Sequence, residues 1–197
     1  MTGKDIFKIT LNLVVIYLIG GFILAFVYAN ASPKIYRNNI EAEQRALKRL
    51  MPDAGEVVQL GGWTIHDKKA KYFEAKNGED TIGYVIQSFG KGYSSYINTF
   101  IAVDNDFRIL KIDILSHAET PGLGDEIEAV SFKNQFTGKS VEHLKVIKAD
   151  TQEYIQNISG ATISTRAVTE DAVKNGVAFL VRTIKEGGNA DVEHQHR

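Results

Sequence analysis

The sequence contains no cysteine among its 197 residues and only three prolines. The absence of cysteine excludes a disulfide scaffold, a thiolate nucleophile, cysteine-ligated zinc or iron–sulfur sites and c-type haem attachment. Any redox centre must therefore be organic or be held by other ligands. The low proline content, with glycines spread along the chain, also excludes a long disordered or collagen-like polymer.

Neither sign of charge dominates, because 23 Lys and Arg residues stand against 24 Asp and Glu residues, for a formal net charge of −1. A nucleic-acid-binding surface usually requires a basic excess, so no nucleic-acid partner is expected. His66 and His143 are isolated, and we interpret His194 and His196 as part of a solvated polar tail. The sequence therefore predicts no metal site.

One long apolar stretch lies near the N-terminus. No charged residue occurs between Lys8 and Lys34, and residues 9–29 read ITLNLVVIYLIGGFILAFVYA. A helix of this length covers about 30 Å, the thickness of the hydrocarbon core of a bilayer. We predict that residues 1–31 form a short N-terminal segment, on the cytoplasmic side, followed by one transmembrane helix. A cleaved signal peptide is the alternative, because the start is basic and residues 29–31 have a small-x-small pattern, although such peptides have apolar regions of only about 7–15 residues.

The charges leave the side of the membrane open. By the positive-inside rule, the excess of basic residues after the span would place the C-terminal part in the cytoplasm, yet a long soluble segment translocates largely regardless of charge. The basic residues compared are Lys4 and Lys8 before the span and Lys34, Arg37, Arg45, Lys48 and Arg49 after it.

The soluble part is predicted to be α+β, with helix, strands, helix, strand and helix in that order. Residues 32–55 are predicted as a juxtamembrane helix and linker, 56–187 as one domain and 188–197 as a polar tail. Turn signals at Asn77–Gly78 and 104–106 indicate an antiparallel meander. The predicted strands are 56–60, 71–75, 81–86, 95–103, 107–115 and 144–147, and the predicted helices are 39–51, 126–136 and 165–185.

The segment 159–165 reads SGATIST and leads into the last predicted helix. A glycine lets the backbone approach a ligand closely, and the unpaired N–H groups of a first helical turn favour a phosphate. The hydroxyl groups of this segment could bind such a phosphate or be esterified by it. The structural alternative is that Ser164 or Thr165 is only the helix N-cap and Gly160 only a turn residue.

A second unusual segment, 116–125, reads SHAETPGLGD and follows a strongly apolar strand. It presents His117, Glu119 and Thr120 with little side-chain bulk at its Pro-Gly tip, so it could lie against a flat ring and bind the edge of that ring. The alternative is a plain connection from strand to helix with Asp125 as the N-cap.

Together the two segments resemble the signatures of the FMN-binding domain family. SGAT followed by IST is similar to the flavinylation motif of the family, and ETPGLG is similar to its second signature, in the same order and behind an N-terminal anchor. The resemblance covers essentially the whole chain. By length it is greatest to the G subunits of the Rnf (or Rsx) electron-transport complexes, whereas the C subunits of Na⁺-translocating NADH:quinone reductases are similar but longer.

The resemblance implies a covalent cofactor. FMN would be joined through its phosphate to the hydroxyl of Thr162 by a separate flavin transferase that uses FAD, and Thr162 would be an attachment site rather than a catalytic residue. The other residues that the resemblance places at the cofactor are Ser159, Gly160, Ala161, Ser164, Thr165, Glu119, Thr120, Pro121, Gly122, Leu123 and Gly124, and His117, next to the second signature, is a further candidate. Tyr93 and Tyr96 are expected in the sheet or core, or alternatively facing the flavin.

The resemblance also implies a place in the cell and a role. The chain would be an electron carrier of a complex in the bacterial inner membrane that moves electrons between ferredoxin and NAD⁺ while transporting Na⁺ or H⁺. Other membrane subunits would be its partners, and its soluble domain would be extracytoplasmic. One departure is that Gln156 stands where the family often has an acidic residue, which bears on the efficiency of attachment, and Asp150 and Glu153 are out of register.

Two alternatives remain open from the sequence. The first is a component like the C subunit of the quinone reductase, with the same cofactor and a different acceptor. The second is a membrane-anchored binding or scaffold domain without a redox centre, in which 159–165 merely begins a helix.

Overall fold

The computed structural model describes residues 3–185 and 187. The chain divides into two compact units between Glu43 and Gln44. The predicted polar tail 188–197, including His194 and His196, lies outside the described residues.

Helix α1 (Gly3–Leu50) contains the predicted span and continues through most of the predicted juxtamembrane segment. Its most apolar window has a mean hydropathy of 2.4 and is not buried by other parts of the protein. Within the described residues it is the one helix long and apolar enough to cross a membrane. Pro33 removes one backbone hydrogen bond inside the helix, and the helix continues through it, so no linker separates the two predicted helices.

The second unit is built on a five-stranded antiparallel meander in which each strand pairs with the next. The strands are β1 (Glu56–Ile65), β2 (Lys68–Asn77), β3 (Asp80–Lys91), β4 (Tyr96–Val103) and β5 (Ile109–Ser116). β1 is longer than predicted because it continues through Gly61, where its register with β2 shifts. β5 begins two residues later than predicted because Phe107 has a φ of +61°, which a strand does not allow. The predicted α+β class with an antiparallel sheet is confirmed.

The two faces of the sheet carry separate apolar cores, because successive side chains of a strand point to opposite faces. Ile86 and Ile101 lie in the core that the C-terminal helical segment covers. On the opposite face, Val85 and Phe100 pack with residues 47–51 from the end of α1 and just beyond it. Both faces of the central strands are therefore buried.

Short elements connect the meander to the C-terminal helical segment. They are a 3₁₀ turn (Gly124–Glu128), α2 (Val130–Asn134), a second 3₁₀ turn (Val141–His143) and the short parallel strands β6 (Val146–Ile147) and β7 (Ile155–Gln156). The prediction of one helix over 126–136 is therefore wrong. β7 was not predicted, since two residues are too few for a periodic pattern.

The C-terminal helical segment spans 162–185 and packs on β3 and β4. It consists of α3 (Thr162–Arg166), a π-helical stretch (Ala167–Val173), α4 (Lys174–Leu180) and a second π-helical stretch (Val181–Lys185). It approaches the sheet closely at Gly90, where an added Cβ would lie 1.9 Å from the carbonyl oxygen of Ala167. This contact brings the start of the helical segment to the end of β3, beside the turn between β3 and β4.

Candidate functional site

The two sequence motifs, far apart in the chain, line one cleft of about 530 Å³. This volume lies within the range of small-molecule and cofactor sites. The lining residues are Tyr93, Glu119, Thr120, Leu123, Gly124, Gly160, Ala161, Thr162, Ile163 and Ser164.

Glu119 holds three segments of the site together. Its side chain is buried, and its carboxylate accepts hydrogen bonds from the backbone N–H groups of Tyr93 (3.0 Å), Ser94 (2.9 Å) and Ser95 (3.1 Å). The hydroxyl of Ser164 donates a fourth bond to Oε2 at 2.5 Å. One carboxylate therefore ties the turn between β3 and β4 and the start of the C-terminal helical segment to the loop after β5.

The four donors also keep Glu119 ionised. Burial by itself raises the pKa of this carboxyl group, but the hydrogen bonds from Ser164 and the backbone of residues 93–95 outweigh burial, so the pKa is lowered from its ordinary value. With both oxygens engaged, the carboxylate acts as a fixed acceptor that orders the cleft.

The threonine and serine hydroxyl groups near the start of α3 differ in where their protons go. Ser164 Oγ donates to Glu119, and Thr165 Oγ1 donates to the carbonyl oxygen of Ala161 at 2.9 Å. Thr162 is half-buried, and its Oγ1 accepts a hydrogen bond from Nδ2 of Asn157 at 3.1 Å. Thr162 and Ser164 both line the cleft, but only the Thr162 proton is not donated to the protein in the described contacts.

Glycines make room for the buried contacts of the site. A Cβ at Gly124 would lie 2.8 Å from Cβ of Glu119 and 2.9 Å from Oγ of Ser164. Gly160 has a φ of +80°, and a Cβ there would lie 2.9 Å from Cδ2 of Leu123. Gly124 therefore serves the Glu119–Ser164 contact, and Gly160 serves the turn that leads into α3.

His117 forms hydrogen bonds within and beside the loop after β5. Its Nδ1 accepts a hydrogen bond from the backbone N–H of Glu119 at 3.1 Å, so Nε2 carries the proton that is shared with Glu128 at 2.9 Å. His117 does not line the cleft.

Comparisons with known proteins identify the family of the chain. Residues 92–178 match the family model described as FMN-binding domain, and this range contains both motifs. The chain is 35% identical over 175 residues to the G subunit of the proton-translocating ferredoxin:NAD(+) oxidoreductase complex of Clostridium ljungdahlii, which covers 88% of this chain and 91% of the relative. The chain belongs to the family of G subunits of ion-translocating oxidoreductase complexes.

Further relatives have a corresponding name or the same fold. The G subunit of the ion-translocating oxidoreductase complex of Methanosarcina acetivorans is 29% identical, over 90% of this chain and 96% of the relative. The crystal structure of the C subunit of Na(+)-translocating NADH-quinone reductase from Parabacteroides distasonis is 25% identical and has a TM-score of 0.52, over 66% of this chain and 77% of that chain.

The cleft of this member of the G-subunit family fits FMN. Its apolar side chains are open to solvent, with Tyr93 73%, Leu123 46% and Ile163 53% exposed, and a flat apolar ring would cover them. The hydroxyl of Thr162 lies in the same cleft. Within the described residues, no group of three or more His, Asp or Glu side chains could hold a metal ion.

The structure separates the residues that the sequence analysis places at the cofactor. Eight of them line the cleft: Thr162, Gly160, Ala161, Ser164, Glu119, Thr120, Leu123 and Gly124. Five do not line it: Ser159, Thr165, His117, Pro121 and Gly122.

The alternative roles as helix caps are wrong. The last helix begins at Thr162 rather than at residue 165, and the position before it, Ala161, has no side-chain cap. The hydroxyl groups of Ser164 and Thr165 instead bond to Glu119 and to the Ala161 carbonyl oxygen. Asp125 caps no helix, since its Oδ1 accepts the N–H of Leu123 at 3.1 Å from within the 3₁₀ turn.

Several site residues were not found from the sequence. The backbone N–H groups of residues 93–95 have no side-chain signature, although the neighbouring Gly92 is a signal, because a Cβ there would lie 2.6 Å from Oε1 of Glu119. The only sequence signal for Asn157 is an amide side chain close before the SGAT segment.

Tyr96 does not line the cleft, and its ring centre lies 5.8 Å from that of His66.

The departure at Gln156 also has a structural setting. The side-chain Nε2 of Gln156 donates a hydrogen bond to Oδ1 of Asp150 at 2.7 Å. The carboxylate that is out of register in the sequence is therefore in contact with Gln156 in the fold.

Proposed function

We propose that this chain is the covalent-FMN electron-carrier subunit of a membrane-bound, ion-translocating ferredoxin:NAD⁺ oxidoreductase. The observation that carries the proposal is the Thr162 hydroxyl, which lies in a cleft of cofactor size with its proton uncommitted. The name of the Clostridium ljungdahlii relative supports the reaction of the complex. When bound, FMN supplies the redox chemistry through its isoalloxazine ring.

The hydrogen bonds of the three hydroxyl groups favour attachment at Thr162 rather than at Ser164 or Thr165. In esterification by FAD, a bond forms between Oγ1 and phosphorus, the pyrophosphate bond breaks, AMP leaves, and the hydroxyl proton passes to a base of the flavin transferase. At Ser164 or Thr165 the same step would remove the proton that Glu119 or the Ala161 carbonyl oxygen accepts, and would break that buried hydrogen bond. At Thr162 no such bond is lost.

The remaining residues of the cleft position and shield the cofactor. Glu119 orders the loop after β5 and the start of α3, and the exposed side chains of Leu123 and Ile163 exclude water from the ring. Because both oxygens of the Glu119 carboxylate already accept hydrogen bonds from the protein, we assign this group a positioning role at the cofactor.

We place the soluble unit on the extracytoplasmic side of the bacterial inner membrane, with α1 as the anchor and other membrane subunits as partners. The basic residues after the span do not oppose this orientation, because a long folded segment translocates largely regardless of its charge. A covalent tether suits that side, since it prevents loss of a cofactor that is scarce there.

A second candidate is the role of the C subunit in a Na⁺-translocating NADH:quinone reductase. The similarity to the Parabacteroides distasonis structure supports it, and the identity is lower than that to the Clostridium ljungdahlii relative. The subunits that purify with the chain from its host distinguish the two, because the complexes differ in their other components.

Attachment is tested by co-expressing the full chain with a flavin transferase and measuring flavin fluorescence on a denaturing gel. Thr162→Val keeps the β-branched shape and removes the oxygen, so we expect a folded protein without covalent flavin. The control Thr120→Val lies in the same cleft and should retain the flavin. Flavin that persists on Thr162→Val, or that maps to Ser164 or Thr165 by peptide mass spectrometry, contradicts the assignment. A colourless wild-type protein from the native host would favour the scaffold alternative.

A further inference from the structure

Asn157 contacts the proposed attachment atom, although it belongs to neither sequence motif. It follows β7 and lies five residues before Thr162. Its Nδ2 donates hydrogen bonds to Oγ1 of Thr162 at 3.1 Å and to the carbonyl oxygen of Ile158 at 3.0 Å. One amide group therefore links the attachment atom to the backbone just before the SGAT segment.

The Ile158 contact fixes which end of the amide faces Thr162. A carbonyl oxygen can only accept hydrogen bonds, so the nitrogen of Asn157, and not its oxygen, must face Ile158. The same nitrogen then faces Thr162 Oγ1, which is the acceptor of that bond. The proton of Thr162 must consequently point away from Asn157.

This arrangement suits an oxygen that is to be esterified. An ester oxygen has no proton but keeps lone pairs, so the amide of Asn157 can bond to Oγ1 both before and after attachment. We infer that Asn157 is a positioning residue for flavin attachment, which holds the Thr162 oxygen in place and leaves its proton free to depart. The inference rests on the proposed attachment at Thr162.

A purely structural role explains Asn157 poorly. Its Oδ1 is buried and has no hydrogen-bond partner within the described part of the chain. A buried carbonyl oxygen without a donor destabilises a protein. An apolar residue of similar size would remove this unpaired atom, so the amide is better explained by what its nitrogen does at Thr162.

Two variants of the full-length chain test the inference, with a flavin transferase, FAD and the initial rate of covalent flavin formation as the readout. Asn157→Leu removes the amide, and Asn157→Asp keeps its shape but replaces the donor by an acceptor. We expect each to lower the maximal rate about tenfold or more, the equivalent of one hydrogen bond, with the FAD concentration at half-maximal rate unchanged. The control Asn175→Leu removes an exposed amide that bonds to Asp171, and should react at the wild-type rate.

The thermal midpoint of each variant separates positioning from folding. The inference expects Asn157→Asp and Asn157→Leu to remain folded at the assay temperature while attachment slows. Wild-type rates in either folded variant would overturn it, and so would a loss of attachment that merely parallels the loss of folded protein in both. If the wild-type chain itself acquires no covalent flavin, the proposed function fails instead, so the two failures are distinguishable.

Discussion

Replacing Glu119 by glutamine should destabilise the soluble unit although the two side chains have nearly the same shape. The carboxylate receives four hydrogen bonds, two at each oxygen. An amide offers one oxygen only, so its nitrogen must face two groups that are donors in the wild type. The glutamine side chain therefore places a hydrogen-bond donor against groups that also donate, at the point where three segments are joined.

The size of the stability loss depends on which of the two carboxylate oxygens the glutamine nitrogen replaces. The nitrogen fits better at the position of Oε2, because the Ser164 hydroxyl can rotate to accept a bond, whereas the backbone N–H of Tyr93 cannot. One N–H is left unpaired and the charge of the acceptor is lost, which together cost about 2 kcal/mol. For a unit of this size, that loss lowers the midpoint of thermal unfolding by about 4–8 °C.

The pH dependence provides a second arm of the same experiment. Folding lowers the pKa of Glu119 from its ordinary value of 4.5, so its stabilisation is fully present above that value and is lost as the pH falls through the folded-state pKa. The difference in stability between wild type and Glu119→Gln should therefore be constant near neutral pH and shrink below about pH 4.5.

The assay is thermal unfolding of the detergent-solubilised chain, followed by circular dichroism at several pH values. Glu126→Gln is the control, since Glu126 is an exposed carboxylate in the neighbouring 3₁₀ turn and its replacement should change stability by less than about 0.5 kcal/mol. A Glu119→Gln variant as stable as wild type, or a difference that does not change with pH, would refute the account of Glu119 as the central acceptor.

Two glycine substitutions test other parts of the structure. Gly90→Ala should lower the free energy of unfolding in urea by about 3 kcal/mol, because its Cβ would lie 1.9 Å from the backbone oxygen of Ala167. The control Gly176→Ala should be nearly neutral, since the closest atom there is Cβ of Ser88 at 3.3 Å. Equal effects of the two substitutions would contradict the close helix–sheet contact at Gly90. Gly122→Ala should cost about 1 kcal/mol because of its φ of +74°, yet should leave the amount of covalent flavin on a denaturing gel unchanged, since Gly122 does not line the cleft; loss of flavin at full stability would show that Gly122 contacts the cofactor.

Local patterns were sufficient for the parts of the fold that depend on near neighbours in the chain. The uncharged run 9–29 lies within one helix, and the turn signals at Asn77–Gly78 and 104–106 lie between paired strands, because helical hydrogen bonds and tight turns involve residues only a few positions apart. The same local reading failed over 126–136, where short 3₁₀ and α turns are set by packing rather than by periodicity.

The sequence by itself distinguished SGAT and ETPGLG from ordinary structural segments, and their resemblance to one family pointed to Thr162 as the proposed attachment residue. Only the tertiary structure decided how the hydroxyl groups differ. Ser164 is bonded to a carboxylate 45 residues away, whereas Thr162 bonds to Asn157 as an acceptor and keeps its proton. Sequence patterns show which groups can donate and accept, but the direction of each hydrogen bond depends on which partners the folded backbone brings within about 3 Å.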